Sequence, residues 1–127
     1  MKITSFDPII VTSDAEAAIK LFEALGFEKH HAPTNEFYGA TVTSVRMKHP
    51  NGYHVDVVSK STKNDADETL IRVNVDDFED AYGIMTAHGF KNIHGDDTYD
   101  VKSSKSASME SPTGTRIAIV KHINNRD

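Results

Sequence analysis

An internal repeat restricts the folds open to this chain of 127 residues more than any other feature. The pair Gly26-Phe27 recurs as Gly89-Phe90, and the turn Pro50-Asn51-Gly52 recurs as Pro112-Thr113-Gly114. The two offsets, 63 and 62 positions, agree to within one residue. This agreement indicates a duplication, in which two similar halves of about sixty residues depend on each other for stability.

Each half carries the start and stop signals of one helix. A capping residue followed three positions later by Glu predicts the start, an apolar stripe predicts the buried side, and a Gly predicts the end. The predicted signals are the cap Ser13 with Glu16, the stripe Ala18, Ile19, Phe22 and Leu25, and the stop Gly26; then the cap Asp76 with Glu79, the stripe Phe78, Ala81, Tyr82 and Met85, and the stop Gly89.

β-Rich segments surround each predicted helix. The predicted strands are Thr4–Val11, Glu36–Met47 and Tyr53–Val58 in the first half, and Thr69–Val75, Val101–Glu110 and Thr115–Val120 in the second. Each half therefore has the plan βαβββ. The predicted fold class is α+β: one domain, residues 1–127, of two βαβββ modules at 1–60 and 68–123. Their mixed sheets are expected to surround a cleft, with the helices outside.

Composition excludes further classes of protein. The chain has no cysteine, so disulfide scaffolds, thiol nucleophiles and Cys-ligated zinc are ruled out. A net charge of −5 and a pI of 5.7 argue against nucleic acid or an anionic membrane as partner. No apolar run is long enough to span a membrane, and the N-terminal segment lacks the apolar core of a signal peptide, so we expect a cytoplasmic protein.

Strand alternation predicts which side chains line the cleft, because residues two apart share a face of a strand. The apolar residues of each strand suit the helix side, and the candidate ligand-binding residues on the other side are Asp7, His54 and Asp56 in module one and Arg72, Asn74 and Arg116 in module two. Tyr38 is a candidate for stacking on a planar ligand.

These candidates divide by charge, acidic in module one and basic in module two. One interpretation is a cleft that binds a polar, zwitterionic small molecule. The alternative is that Arg72 or Arg116 pairs with Asp7 or Asp56 and cancels charges that are costly to bury alone.

The repeated landmarks resemble the vicinal oxygen chelate superfamily, the glyoxalase and bleomycin-resistance group. The resemblance rests on Val11–Asp14, Leu21–Phe27 and His49–Gly52, and again on Val75–Asp77, His88–Phe90 and Ser111–Gly114. It implies paired βαβββ modules around a cleft. Many members hold a divalent metal there through His, Gln or Glu on the first and last strands of each module.

The ligand positions that the resemblance implies are Asp7 and Asp56 in the first module and Leu70 and Ala118 in the second. Leucine and alanine cannot bind a metal, so we expect neither the usual divalent metal nor another cofactor. The alternative is a hard cation held by Asp7, His54 and Asp56.

Three functions stay open. The leading hypothesis is a metal-free, glyoxalase/bleomycin-resistance-like protein that binds a small molecule, in a sequestering or resistance role. The second is an enzyme, a divalent-metal-dependent lyase of the glyoxalase type, an isomerase or a dioxygenase. The third is a structural or regulatory protein without ligand. A homodimer is expected, since strand edges allow pairing.

Overall fold

The computed structural model describes residues 1–31, 34–37, 40–60, 66–101 and 104–122. The chain divides into two compact units, an N-terminal unit of Asp7–Thr69 and a C-terminal unit of Leu70–Asp127 together with Met1–Phe6. The elements in chain order are β1 (Ile3–Thr12), α1 (Ala15–Ala24), β2 (Glu28–His31), β3 (Thr34–Phe37), β4 (Ala40–Lys48), β5 (His54–Ser59), β6 (Glu68–Val75), α2 (Phe78–Ala87), β7 (Lys91–Asn92), β8 (Tyr99–Val101), β9 (Ser104–Glu110) and β10 (Arg116–His122).

In the N-terminal unit, α1 packs on one face of a mixed sheet. The strands follow the order β2-β4-β5-β1, with β3 paired to β4. β1 and β5 are parallel, and the other pairs are antiparallel. The buried core consists of Val45, Met47, Val55 and Val57, and the side chains of Ile10, Ala15, Ala18, Ile19, Phe22 and Phe27 pack against it.

The C-terminal unit repeats this arrangement with α2. Its strands follow the order β6-β10-β9-β7, with β8 paired to β9. β6 and β10 are parallel, whereas β9 is antiparallel to β10 and to β7. The buried core consists of Val75, Phe78, Ala81, Ala107, Met109 and Ile119, with Val73, Tyr82, Met85 and Phe90 packed against it.

The predicted α+β class with mixed sheets is confirmed, and so are the apolar stripes of both helices, except for Leu25. This residue is 57% exposed at the end of α1. The single strand predicted over Glu36–Met47 is wrong. β3 and β4 pair antiparallel, with Thr34 opposite Thr43 and Phe37 opposite Ala40, so the chain reverses direction within that segment. Neither described helix is long and apolar enough to cross a membrane.

Each helix begins one residue later than predicted. The caps are Asp14, whose side chain accepts from the Ala17 N–H at 3.1 Å, and Asp77, which accepts from the Asp80 N–H at 3.0 Å. The predicted cap Asp76 has another role, because its carboxylate accepts from the Lys2 N–H at 2.6 Å. Ser13, the other predicted cap, does not take this position because the neighbouring Asp offers its carboxylate to the helix.

The end of α1 is held by a histidine. Gly26 has a φ of 101°, and a Cβ at this position would lie 3.1 Å from Nε2 of His49. The His49 ring packs edge-on to Phe27, with centroids 5.2 Å apart, and lies 5.9 Å from Tyr53. Its Nδ1 accepts from the Asn51 N–H at 3.1 Å. Gly26, which ends α1, and the turn before β5 are thus packed against each other.

We expect Gly26→Ala to destabilise the protein by about 1–2 kcal/mol, because an L side chain disfavours positive φ and the new methyl group meets His49. Gly83→Ala is a matched control, since Gly83 lies exposed in α2 and a Cβ there meets nothing within 4 Å. This control should stabilise by about 0.5–1 kcal/mol. Urea unfolding of both variants measures the two changes, and equal effects would contradict the explanation.

A buried threonine joins β1 to the residues before β6. The Thr12 hydroxyl donates to Asp67 Oδ2 at 2.7 Å and accepts from the Asp14 N–H at 3.0 Å. This hydrogen bond, with smaller contributions from the Ser13 N–H and Lys60, holds the pKa of Asp67 below its ordinary value of 3.8. A lowered pKa stabilises the folded state above the ordinary value, and this stabilisation is lost as the pH falls through the folded pKa.

Thr12→Val should therefore raise the pKa of Asp67 toward its ordinary value, because the hydrogen bond that lowers this pKa most is removed and the side-chain shape is kept. The stability that the protein loses through Asp67 as the pH falls below about 4 should then be smaller. Carboxyl carbon NMR across an acid titration measures this pKa directly. Thr86→Val is the control, since the Thr86 hydroxyl donates to the Gly83 carbonyl and should leave Asp67 unchanged.

Candidate functional site

Each sheet has a face opposite its helix, here called the uncovered face. In the N-terminal unit, Val55 and Val57 point to the α1 side, so His54 and Asp56 point to the uncovered face. β1 contributes Asp7 and Ile9, because Ile9 is the register partner of Asp56. The strand faces predicted for this unit are thus confirmed.

The centre of this uncovered face is an ion pair that the sequence analysis missed. Asp56 is 3% exposed, and it accepts from Arg46 Nε at 3.1 Å and from Nη2 at 3.4 Å. Arg46 lies directly opposite Asp56 in the antiparallel pairing of β4 with β5. The sequence contains a signal for this pair, because Arg46 and Asp56 each lie five positions from Asn51. A hairpin centred on that turn residue therefore places them opposite each other. A guanidinium that binds both carboxylate oxygens is among the stronger protein ion pairs.

Asp7 and His54 form the second polar contact of this face. Asp7 is 1% exposed, and its Oδ2 lies 3.6 Å from Nδ1 of His54. This separation exceeds hydrogen-bond length, and Nδ1 is buried without a hydrogen-bond partner. The imidazole as a whole stays about one-fifth exposed, at 21%. Nδ1 of His54 therefore has unused hydrogen-bonding capacity.

In the C-terminal unit, the uncovered face carries the three candidates of module two. Val73 and Val75 contact the core, so Arg72 and Asn74 lie on the opposite side of β6. On β10, Ile119 is in the core, and Arg116 and Ala118 share the uncovered face. The face predictions for these two strands are likewise confirmed. Whether the two uncovered faces line one cleft stays a prediction.

Arg116 and Asn74 differ in how their polar atoms are partnered. Arg116 Nε donates to Oε2 of Glu110, its cross-strand partner, at 2.8 Å. Asn74 is 6% exposed, and its Oδ1 accepts no hydrogen bond. Among the described residues, Ser5 Oγ is the one other buried polar atom, besides His54 Nδ1, in this condition. Pairing of Arg72 or Arg116 with Asp7 or Asp56 stays a prediction.

The Ser-rich strand β9 packs against the core with one of its faces. Ala107 and Met109 are buried in the core of the C-terminal unit. Ser106 and Ser108, which alternate with them, lie on the uncovered face opposite Val120 and Ala118. These hydroxyls are polar groups on that face beyond the predicted candidates. The remaining candidate, Tyr38, lies outside the described residues.

A divalent metal does not fit the described side chains. No group of three or more His, Asp or Glu side chains in the described ranges is placed to hold one ion, and this applies to the alternative set Asp7, His54 and Asp56. Asp56 directs both of its oxygens at Arg46. The positions that the resemblance assigns to ligands in the second module hold Leu70 and Ala118, which have no donor atom.

A surface groove of about 440 Å³ in the C-terminal unit contains none of the predicted residues. Its lining includes Tyr82, Thr86, Phe90 and Lys91 and is mostly apolar. Its one buried polar residue, Asn92, is already satisfied, since it donates to the Asp97 carbonyl and accepts from the His94 N–H. The groove lacks the convergent polar groups of a specific binding site.

The fold is similar to those of several solved structures. A variant of methylmalonyl-CoA epimerase from Streptomyces coelicolor, in complex with 2-nitronate-propionyl-CoA, has a TM-score of 0.69 at 15% identity and covers 96% of this chain and 99% of its own. A glyoxalase I mutant from Zea mays has a TM-score of 0.67 at 15% identity and covers 95% of this chain and 44% of its own. A glyoxalase/bleomycin resistance protein/dioxygenase superfamily member from Vibrio splendidus 12B01 has a TM-score of 0.61 at 16% identity and covers 92% of this chain and 97% of its own.

The chain therefore has the vicinal oxygen chelate fold, as its repeated landmarks implied. Within this fold its neighbours include epimerase and glyoxalase enzymes. No family model matches the chain, and no curated protein matches it by sequence. At identities near 15% the likeness concerns the fold, and function has to be argued from the side chains.

We expect Arg46→Met to destabilise the protein by about 3 kcal/mol, because it removes a charge partner of a buried carboxylate. The double variant Arg46→Met, Asp56→Asn should recover more than half of this loss, since the charge disappears as well. Arg116→Met is the matched control, as that pair is about one-third exposed, at 35% and 37%, and its loss should cost at most about 1 kcal/mol. Chemical unfolding of the three variants distinguishes these outcomes, and no recovery in the double variant would contradict the electrostatic explanation.

Proposed function

We propose that this protein binds a polar small molecule without using a divalent metal, in a sequestering or resistance role of the glyoxalase/bleomycin-resistance type. The observation that carries the proposal is that two buried polar atoms without a hydrogen-bond partner, His54 Nδ1 and Asn74 Oδ1, lie on the two uncovered faces. Unpaired polar groups are costly to bury, so proteins keep them chiefly where a ligand or water completes them.

The charged surroundings of these atoms support the same function. Asp7 and Asp56 are buried on the face that carries His54, and Arg72 and Arg116 lie on the face that carries Asn74. Each of the two atoms therefore has charged side chains on its own face, and such groups orient polar ligands. The epimerase neighbour in complex with 2-nitronate-propionyl-CoA is a protein of this fold that binds a small molecule.

The enzyme alternative needs a set of donors for a divalent metal, and the Arg46 contacts of Asp56 together with Leu70 and Ala118 argue against such a set. Elemental analysis of protein purified without chelators tests this directly. Stoichiometric Zn, Ni, Mn or Fe would contradict the metal-free proposal. The expected homodimer is tested separately by sedimentation, and a dimer that binds no compound would favour the structural or regulatory alternative.

A thermal-shift screen of cationic, zwitterionic and anionic small molecules tests the proposal. A ligand at 100 times its Kd should stabilise the protein by about 2.7 kcal/mol, because it binds the folded state alone. His54→Gln should weaken the hits that contact the N-terminal unit by about tenfold, the effect of one lost hydrogen bond of about 1.4 kcal/mol. His30→Gln is the matched control, since His30 is exposed on β2. If no compound stabilises the protein, the proposal is wrong.

A further inference from the structure

The uncovered faces of the two units can be compared position by position. β4, β5 and β1 are paired in the same order and directions as β9, β10 and β6. Each middle strand carries one side chain at the centre of its face. In the N-terminal unit this residue is Asp56, flanked by Ile9 and Arg46. In the C-terminal unit it is Ala118, flanked by Arg72 and Ser108.

This exchange of side chains opens space in the C-terminal unit. The Asp56 carboxylate and the Arg46 guanidinium fill the centre of the first face with their own ion pair. A methyl group and a hydroxymethyl group occupy the corresponding positions, Ala118 and Ser108, and both residues are only half-buried. Adjacent strands are about 4.8 Å apart, and alternate residues of one strand about 6.6 Å. Because these side chains are shorter than Asp and Arg, we expect a depression about as wide as a carboxylate group over Ala118.

The rim of this depression carries polar side chains at two positions where the N-terminal unit has apolar ones. Arg72 and Asn74 occupy the positions that Ile9 and Val11 hold in the N-terminal unit. Asn74 adds the independent sign of a ligand, because its side chain is buried and Oδ1 accepts no hydrogen bond. A ligand that satisfies Asn74 Oδ1 must offer it a hydrogen-bond donor, and an ionised carboxylate has none.

We propose that the depression over Ala118 binds a small organic acid that carries a hydroxyl or amide N–H next to its carboxylate. Arg72 pairs with the carboxylate, the Ser108 hydroxyl donates a hydrogen bond to it, and Asn74 Oδ1 accepts from the neighbouring hydroxyl or N–H. This inference rests on the proposed small-molecule binding and adds the chemical class of ligand and the unit that recognises it.

Lactate and propionate provide the test, because they share a carbon skeleton and charge and differ by one hydroxyl group. Both lactate enantiomers and propionate are titrated into the full-length protein, with Kd obtained from amide chemical shifts. We expect at least one enantiomer of lactate to bind about tenfold more tightly than propionate, the value of one added hydrogen bond. The largest shifts should include the amides of Ala118 and Ser108.

Two variants separate the contributions. Asn74→Leu keeps the side-chain size and removes the acceptor, so lactate and propionate should then bind equally. Its melting temperature without ligand should rise, because an unpaired buried acceptor is lost. Ala118→Val fills the depression and should weaken both ligands at least about tenfold. Ser44→Ala is the control on the N-terminal unit and should leave both Kd values unchanged.

Equal binding of lactate and propionate by the unaltered protein would overturn the inference, and so would a preference that survives Asn74→Leu. Shifts confined to residues of the N-terminal unit would overturn it as well. These results leave small-molecule binding itself in place, whereas failure of the whole thermal-shift screen would overturn the proposed function. Melting curves of each variant show whether a lost affinity comes from lost folding.

Discussion

The packing of one helix on one face of each sheet is the interaction on which the rest of the structure depends. α1 covers Val45, Met47, Val55 and Val57, and α2 covers Val75, Ala107, Met109 and Ile119. Because side chains alternate along a strand, each residue committed to the core places its neighbours on the opposite face. The polar candidates are consequences of this alternation, since the hydrophobic core determines which face each of them occupies.

The sequence predicts this level of organisation well because its signals are local and occur twice. The Gly-Phe and Pro-turn landmarks establish the repeat, and strand alternation assigns His54, Asp56, Arg72 and Asn74 to their faces. The helix caps show the limit of such signals. Ser13 and Asp14 are both good caps by type, and the choice between them depends on which side chain reaches the Ala17 N–H in three dimensions.

Partners across a strand pair were harder to predict, because they require the register. Arg46 faces Asp56, and Glu110 faces Arg116, because each repeated turn lies at the centre of its hairpin and so determines the register. The repeated turns carried this information, but residue type alone suggested Arg72 and Arg116 as partners for the acidic residues. The reversal between β3 and β4 was missed as well, since the segment is β-rich on both sides of Gly39 and its pairing is decided by tertiary structure.

The duplication allows the two copies of one scaffold to take different tasks. In the N-terminal unit the Asp56–Arg46 ion pair occupies the centre of the uncovered face. The two side chains neutralise each other's charge there. In the C-terminal unit the same position holds Ala118, and the polar groups have moved to the rim. A site that binds a ligand requires unfilled volume next to polar atoms with unused hydrogen-bonding capacity. The unpartnered Asn74 acceptor supports the second condition and the small Ala118 side chain the first, so our proposal places recognition of an anionic group in the copy without a central ion pair.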